Sequence, residues 1–480
     1  MKEDFLDCDA ARIPSLLDTL VREHLLQRED VPGSDTARWA AHPIVRDVFR
    51  GEALKAGDTI ATQFAEIVAG KGERGIPKSV AELQPILEAI EVLLAAEDFN
   101  LADKVFSERL ENGRVFQWIP APQEGLRCGR GFVEPASRKQ ALEEGCGRGR
   151  LAFHLNATAL FGTNLGEMEN VEQRCEQTIE IWHARQSWVD LCSVLQNLAD
   201  VQMLRGTLQE AVETMNEALF YAGVEEARMR LRAAHRFPKR PAHFTRERPS
   251  DSAVDERDSR ACRGEALSLL GELSAASRDF EMADAIERKN DPDNDALHSQ
   301  RGIQWCSHRL RLGDAARGRW LTEANRVICK RFGWNSDLTR CDLLLVKLDL
   351  KAGNFDSAAQ RIGDVVHIFR EARLGQFLPE ALLAQAQLRR SLEDCEEALR
   401  LAARSGFAQM QCDALNLRAL LRREAGAHDK AVEDAHQALE IAERCGYYWG
   451  HMKPCASSAM PRRPVETART KSIGTKPSKN

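Results

Sequence analysis

Twelve histidines and thirteen cysteines are the residues of this chain best suited to holding a metal. A zinc site is usually announced by C-x-x-C pairs or by H-E-x-x-H on one helix face. Neither spacing occurs. The nearest approach is Cys306 with His308. Positions i and i+2 of a helix point to different faces, so both read as structural. His428 and His436 read as surface positions. No two cysteines lie closer in sequence than Cys445 and Cys455. An odd, unpatterned set points to reduced thiols in a cytoplasmic protein, mostly buried as small apolar groups. No G-x-S-x-G elbow presents a serine nucleophile. The string GKGERGIPKS at 70–79 puts Ile76 and Pro77 between glycine and lysine, and the proline removes an amide that a phosphate cradle needs. The chain therefore reads as a non-enzyme, with neither metal nor cofactor.

Composition agrees with a folded, helix-rich protein. Hydrophobic residues make up 43% and charged residues 29%, with only three tyrosines. A formal charge of −6 gives no electrostatic case for nucleic acid. No stretch of 18 uninterrupted apolar residues suggests a membrane span, and the acidic start is not a secretory leader. At 480 residues the chain calls for several domains or one array.

The array is the better reading. Gly166, Gly206, Gly313, Gly353 and Gly426 each separate two apolar-periodic segments, and a small or aliphatic residue follows five positions later. In the unit 194–222, Leu195, Leu198 and Val201 share a helix face, Gly206 breaks the helix as a left-handed cap, and Ala211, Met215, Ala218 and Leu219 share the next face. Small residues at Ala199, Ala211 and Ala218 let the two helices approach closely. The same positions recur as Val346, Gly353, Ala358, Ile362 and Val365, and as Ala419, Gly426, Ala431, Ala435 and Ala438. Looser units surround Gly166 and Gly313, residues 382–403 give a partial pair, and a degenerate unit near Gly271 keeps Leu267, Leu270 and Ala283 but lacks the turn glycine. Hairpins of this size cannot bury their apolar faces alone and must stack on neighbours. The spacing resembles the tetratricopeptide repeat (TPR), which implies an all-α, TPR-like α-solenoid: a right-handed superhelix of helical hairpins. The repeats are assigned to 151–234 and 264–452.

The remaining segments break the pattern. Residues 113–150 carry Pro120, Pro122 and Pro135, with glycines at 125, 129, 131, 145, 147 and 149, which predicts a Gly/Pro-rich connector. Residues 235–263 are charged and poor in large apolar side chains, which predicts a disordered insert. A helical linker is expected over 53–112 and a disordered basic tail over 453–480. Trp182, Trp188, Trp305 and Trp320 read as packing, and Tyr447, Tyr448 and Trp449 as packing or as a partner groove or cap at the array's end.

Residues 1–52 hold an amphipathic helix with Leu16, Leu17, Leu20 and Leu25, then a turn-rich break, then AAHPIVRDVFRG. His42, Pro43, Ile44, Val45, Arg46 and Phe49 form a phrase that resembles the end of the winged-helix segment in STAND proteins, signal-transduction ATPases with numerous domains. ALHSQRGIQWCSHRLRLGD (296–314) and LEIAERCGYYWG (439–450) are similar to array phrases of bacterial members. The resemblance implies a small winged-helix-like module followed by a TPR-like sensor, with His42, Pro43, Arg46 and Phe49 as the module's marker. It also marks a departure, because the family's nucleotide-binding domain precedes the winged helix and no phosphate loop is found here. The expected function is protein–protein recognition or ligand sensing within a STAND-type system, with a protein or peptide on the concave face and an ATPase or effector on a separate chain. A stand-alone TPR scaffold and a transcriptional regulator working through residues 12–50 are the alternatives. A two-lysine clamp for acidic peptide tails is not expected, since its positions hold Gln196 and Asp200 in one unit and Leu343 and Lys347 in another.

Overall fold

The computed structural model describes residues 13–30, 37–41, 76–235, 251–292, 294 and 296–452. It opens with α1 (Ile13–Arg22) and an antiparallel pair, β1 (Leu26–Asp30) and β2 (Ala37–Ala41), with Arg28 opposite Trp39. His42, Pro43, Arg46 and Phe49 lie outside the described residues, as do 53–75 and 453–480.

From Ser79 onward every regular element among the described residues is a helix. Ser79 accepts a hydrogen bond from the Glu82 amide at 3.3 Å, and Glu82 reaches back to the Lys78 amide at 3.0 Å, which starts α2 (Val80–Ala95). Then follow α3 (Phe99–Arg109), α4 (Val115–Trp118), α5 (Pro122–Val133) and α6 (Ala136–Cys146). Seven antiparallel hairpins come next: α7 (Arg148–Leu165) with α8 (Val171–Arg185), α9 (Trp188–Arg205) with α10 (Leu208–His235), α11 (Asp251–Leu270) with α12 (Leu273–Asn290), α13 (Ser299–Leu312) with α14 (Ala315–Phe332), α15 (Asn335–Ala352) with α16 (Phe355–Glu371), α17 (Leu378–Arg389) with α18 (Leu392–Ser405), and α19 (Ala408–Glu424) with α20 (His428–Cys445). The helix α21 (Tyr448–Met452) closes the series. This is a TPR-like α-solenoid.

The expected turn glycines sit between the helices of a hairpin with positive φ: +73° at Gly166, +88° at Gly206, +84° at Gly313 and +77° at both Gly353 and Gly426. Ala199, Ala211 and Ala218 are fully buried in one continuous core with Leu195 and Met215. Ala358, Ala419, Ala431 and Ala438 are also buried.

Four expectations are corrected. Residues 113–150 form a short 3₁₀ turn and α4 to α6, and they join the core of α2, α3 and α7 through Leu126, Phe132 and Leu142. Pro122 stands at the first position of α5, where a missing amide costs nothing. Gly125 and Gly129 are contact points inside that helix. A Cβ on Gly125 would come within 2.8 Å of the Phe161 ring, and one on Gly129 would overlap the Thr158 hydroxyl. Residues 251–263, placed in a disordered insert, form the first half of α11. Their charges are neutralised by α12, with Arg257 on Glu287 and Arg263 on Asp279, so polarity here marks a helix–helix seam. Residues 236–250 lie outside the described residues. The degenerate unit does have its turn glycine, Gly271, at φ +86°. The partial pair is a complete hairpin in which Arg390, at φ +55°, takes the glycine's place.

The first helices of successive hairpins line the inside of the spiral and the second helices cover the outside. The inner helices α7, α9 and α11 each meet the chain five hairpins further on, and α4 meets α15 in the same way. The Asn335 side chain at the start of α15 donates to the Trp118 carbonyl of α4 at 2.7 Å. The Gln376 amide donates to the Asn164 carbonyl near the end of α7 at 3.1 Å. The Gln409 side chain of α19 donates to the Met203 carbonyl of α9 at 2.8 Å. The Trp449 indole of α21 donates to the Ser268 carbonyl of α11 at 2.8 Å. The spiral thus completes a turn in about five hairpins, and the second turn rests on the first. Leu191, Leu195, Met203 and Cys262 share one core with Phe407, Ala408, Cys412 and Tyr447.

Candidate functional site

A full turn of inner helices encloses a channel. Asp200, Met203 and Leu204 come from α9, Glu265 and Leu269 from α11, and Gln300, Ile303, Gln304, Ser307 and Arg311 from α13. Arg340, Leu343, Leu344 and Lys347 come from α15, Phe377 and Glu380 from the start of α17, and Gln409 and Met410 from α19. The cavity at its centre measures about 170 Å³.

The polar groups are paired between helices. Asp200 accepts from Gln300 at 2.7 Å and from Arg301 and Gln304 at 3.2 Å, which ties α9 to a helix two hairpins on. Arg311 grips both carboxylate oxygens of Glu265 and donates to the Ser268 hydroxyl at 2.6 Å. Lys347 bonds Glu380 across α15 and α17. Burial alone would raise the Glu380 pKa, but Lys347, with help from Arg340 and Arg311, holds this carboxyl below the usual range. The Arg340 guanidinium rests 4.4 Å from the centre of the Phe377 ring and bonds Asp337 at 3.0 Å. Acids and bases balance, and the apolar floor of Leu343, Leu344, Met203 and Met410 lies among them. Such a lining can hold a guest that carries apolar groups and hydrogen-bonding groups together.

Two buried histidines lie outside the lining, and their surroundings argue against acid–base chemistry. His154 bonds Asp103 at 2.7 Å, but it stacks on Phe132 at 3.9 Å and is enclosed by Phe106 and Phe153. Burial pushes its pKa down against the pull of Asp103. His308 sits between the hydroxyls of Ser268 and Ser277, both at 2.9 Å. Burial, then the charges of Arg311 and Arg309, bring its pKa down to about 4. Neither imidazole borders the channel. Cys306, two residues from His308, is buried in a separate apolar core. His428 and His436 are exposed. Among the described residues no three His, Cys, Asp or Glu side chains are grouped to hold a metal, and no helix is long and apolar enough to cross a membrane. An open depression of about 810 Å³ on the outside is lined by Arg150, Trp182, Trp188 and Arg228. Of its arginines, Arg150 is engaged by Asp103 and Arg228 by Glu225, and Arg185 lies 5.9 Å from the centre of the Trp182 ring.

The turn glycines and small residues singled out in the sequence shape the hairpins and stay outside the channel. Asp200, Leu343 and Lys347, considered only for a clamp they lack, are lining residues. Glu265, Gln304, Arg311 and Glu380 were missed. Their signal was there: each is a polar residue interrupting the apolar pattern of a first helix.

No protein-family model and no curated protein matches the chain. Solved helical-repeat structures do. A Rap protein complexed with competence and sporulation factor aligns with 76% of this chain and 98% of its own length, at 11% identity and a TM-score of 0.49. A STAND protein with a tetratricopeptide-repeat sensor from Pyrococcus horikoshii aligns with 89% of this chain, which spans 58% of that protein, at 12% identity and a TM-score of 0.40. Yeast Tom70 aligns with 85% of this chain and 93% of its own, at 10% identity and a TM-score of 0.31.

Proposed function

We propose that this chain is a binding protein whose spiral interior takes up a peptide or a segment of another protein, and that it serves as the sensor part of a STAND-type signalling system. The observation that carries the binding role is the convergence of six inner helices on one lining of paired charges and apolar side chains. A core left to itself would be apolar at these positions, because burying charged groups costs stability unless something else is gained. The signalling context is supported by the winged-helix-like phrase at His42, Pro43, Arg46 and Phe49 and by its place ahead of the array.

The full chain should bind members of an arrayed peptide library. Arg340→Ala and Lys347→Ala should weaken that binding at least tenfold while circular dichroism stays unchanged. No binder in the array, or binders indifferent to both substitutions, would refute the interior as the docking site.

A further inference from the structure

The glycines at the hairpin tips fall into two classes. Gly313, Gly333, Gly353 and Gly426 face open space, with nothing within 4 Å of an added Cβ. Gly166, Gly206, Gly271 and Gly406 are pressed against the neighbouring superhelical turn. A Cβ on Gly166 would lie 2.6 Å from the Ser405 hydroxyl. One on Gly206 would lie 2.5 Å from Cys445 Sγ, one on Gly271 2.5 Å from the Tyr448 ring, and one on Gly406 2.5 Å from the Arg205 guanidinium. Gly375 is closer still, since its Cβ would overlap the Leu165 carbonyl. These contacts, with the three hydrogen bonds from Gln376, Gln409 and Trp449, form one seam along the tips of α7, α9 and α11.

That seam is also a wall of the channel. Met203 and Leu204 line it from one side, and Gln376, Phe377, Gln409 and Met410 from the other. Gln409 does both at once, because its side chain borders the cavity and holds the Met203 carbonyl. A hydrogen-bond relay runs from the channel to the seam's far end: Arg311 holds the Ser268 hydroxyl, and the Ser268 carbonyl receives Trp449.

The channel as it stands is small. A cavity of 150 Å³ takes a molecule the size of benzene, and drug-sized ligands occupy roughly 300–1,000 Å³. At about 170 Å³ this one admits a single ring-sized side chain. A peptide segment needs a wider channel. Around one turn, consecutive hairpins are joined by the chain itself. The closure between α9 and α19 has no such link and is made by turn tips and by the packing of Phe407, Ala408, Cys412 and Tyr447 on the first turn. It is the wall that can part while every hairpin stays intact.

We propose that the seam is a latch. It parts to admit the guest and closes over it, so that ligand uptake and the closure of the spiral are one equilibrium, with Gln409 and Trp449 as its sensing residues. This rests on the interior being the binding site.

The test uses the full chain. The Gln376 amide reports directly on the seam, because it donates to the Asn164 carbonyl across it. Hydrogen exchange at Gln376 should be at least tenfold faster than at Leu344 in the middle of α15. Gly206→Cys brings a new thiol beside Cys445, with Cβ atoms 3.2 Å apart before relaxation. Oxidation of this variant should slow Gln376 exchange and slow association of the tightest array peptide, each by tenfold or more relative to the same variant reduced. Comparing two redox forms of one sequence removes any general effect of the substitution on folding, and wild-type exchange requires no substitution at all. Exchange at Gln376 no faster than at Leu344, or a stapled protein that takes up the peptide as fast as the reduced form, would overturn the latch. If no peptide binds either form, the proposed function fails, while the exchange rates still decide whether the seam opens.

Discussion

Gly206 and Gly353 offer a measurement of what the superhelical closure contributes. Both end the first helix of a hairpin with φ near +80°, at +88° and +77°. Alanine at either position incurs the left-handed penalty of about 1–2 kcal/mol. At Gly353 that is the whole expected loss, because nothing stands within 4 Å of the new methyl. At Gly206 the methyl would lie 2.5 Å from Cys445 Sγ and 2.8 Å from Ala408 Cβ. Both belong to the next turn and both are packed in the core, so overpacking adds roughly 1–3 kcal/mol. Gly206→Ala should therefore cost about 2–5 kcal/mol against about 1–2 for Gly353→Ala. Urea unfolding of the full chain, followed by far-UV circular dichroism, measures both. Cys445→Ala in the Gly206→Ala background should return part of the excess, because it removes the nearest atom. Equal midpoints for the two single variants would refute the reasoning, since they would mean that the second turn does not press on the first.

Stability should fall with acid in a window set by the buried histidines. His308 titrates near 4 when folded and near its ordinary 6.5 when unfolded, so the unfolded chain binds more protons between those values. Its contribution is present above pH 6.5 and is lost on going to pH 4, roughly 3 kcal/mol; His308→Gln should flatten that part of a pH series of urea midpoints. Below about pH 4.5 Glu287, held down to about 2 against burial by His298 and Arg257, adds a second loss of the same sign, which Glu287→Gln should remove. Asp349→Asn should destabilise by roughly 3 kcal/mol in the same denaturation assay: the carboxylate is buried between Arg319, Arg361 and Ser357, although both arginines keep about a third of their side chains in water. Gly129→Ala should cost about 1–3 kcal/mol, and Thr158→Ala in the same chain should restore part of it, because the hydroxyl that the new methyl meets is gone.

The hairpins were legible because their signal is local. A glycine at the end of an apolar stripe, with a small residue five positions on, marks a turn without reference to the rest of the chain. The same local logic misread residues 113–150 and 251–263. Glycines within α5 permit a close approach to Phe161 and Thr158, and a window of sequence cannot distinguish that use from a break. The arginines of α11 look solvated until Glu287 and Asp279 of α12 are placed opposite them. Arg390 shows the converse, a hairpin turn made by a side chain that propensity disfavours there. The channel was illegible for a different reason. Asp200, Arg311 and Glu380 are separated by 69 to 180 positions, and they come together only because the spiral closes in five hairpins.

That closure itself has a chemical signature, visible once the geometry is known. Where the tips of the two turns touch, a glycine recurs on one side: Gly166 against Gly375 and Ser405, Gly206 against Ala408, Gly271 against Tyr448, Gly446 near Leu270. A left-handed cap needs a glycine at Gly166 and Gly206 whether or not anything lies beyond it. Gly375 has no such need. It is absent from the positive-φ positions, and yet a methyl there would overlap the Leu165 carbonyl. Its smallness serves only the neighbouring turn. The pitch of the spiral is therefore specified at that position independently of the hairpins, and a side chain at Gly375 should loosen the seam while leaving α7, α8, α17 and α18 helical.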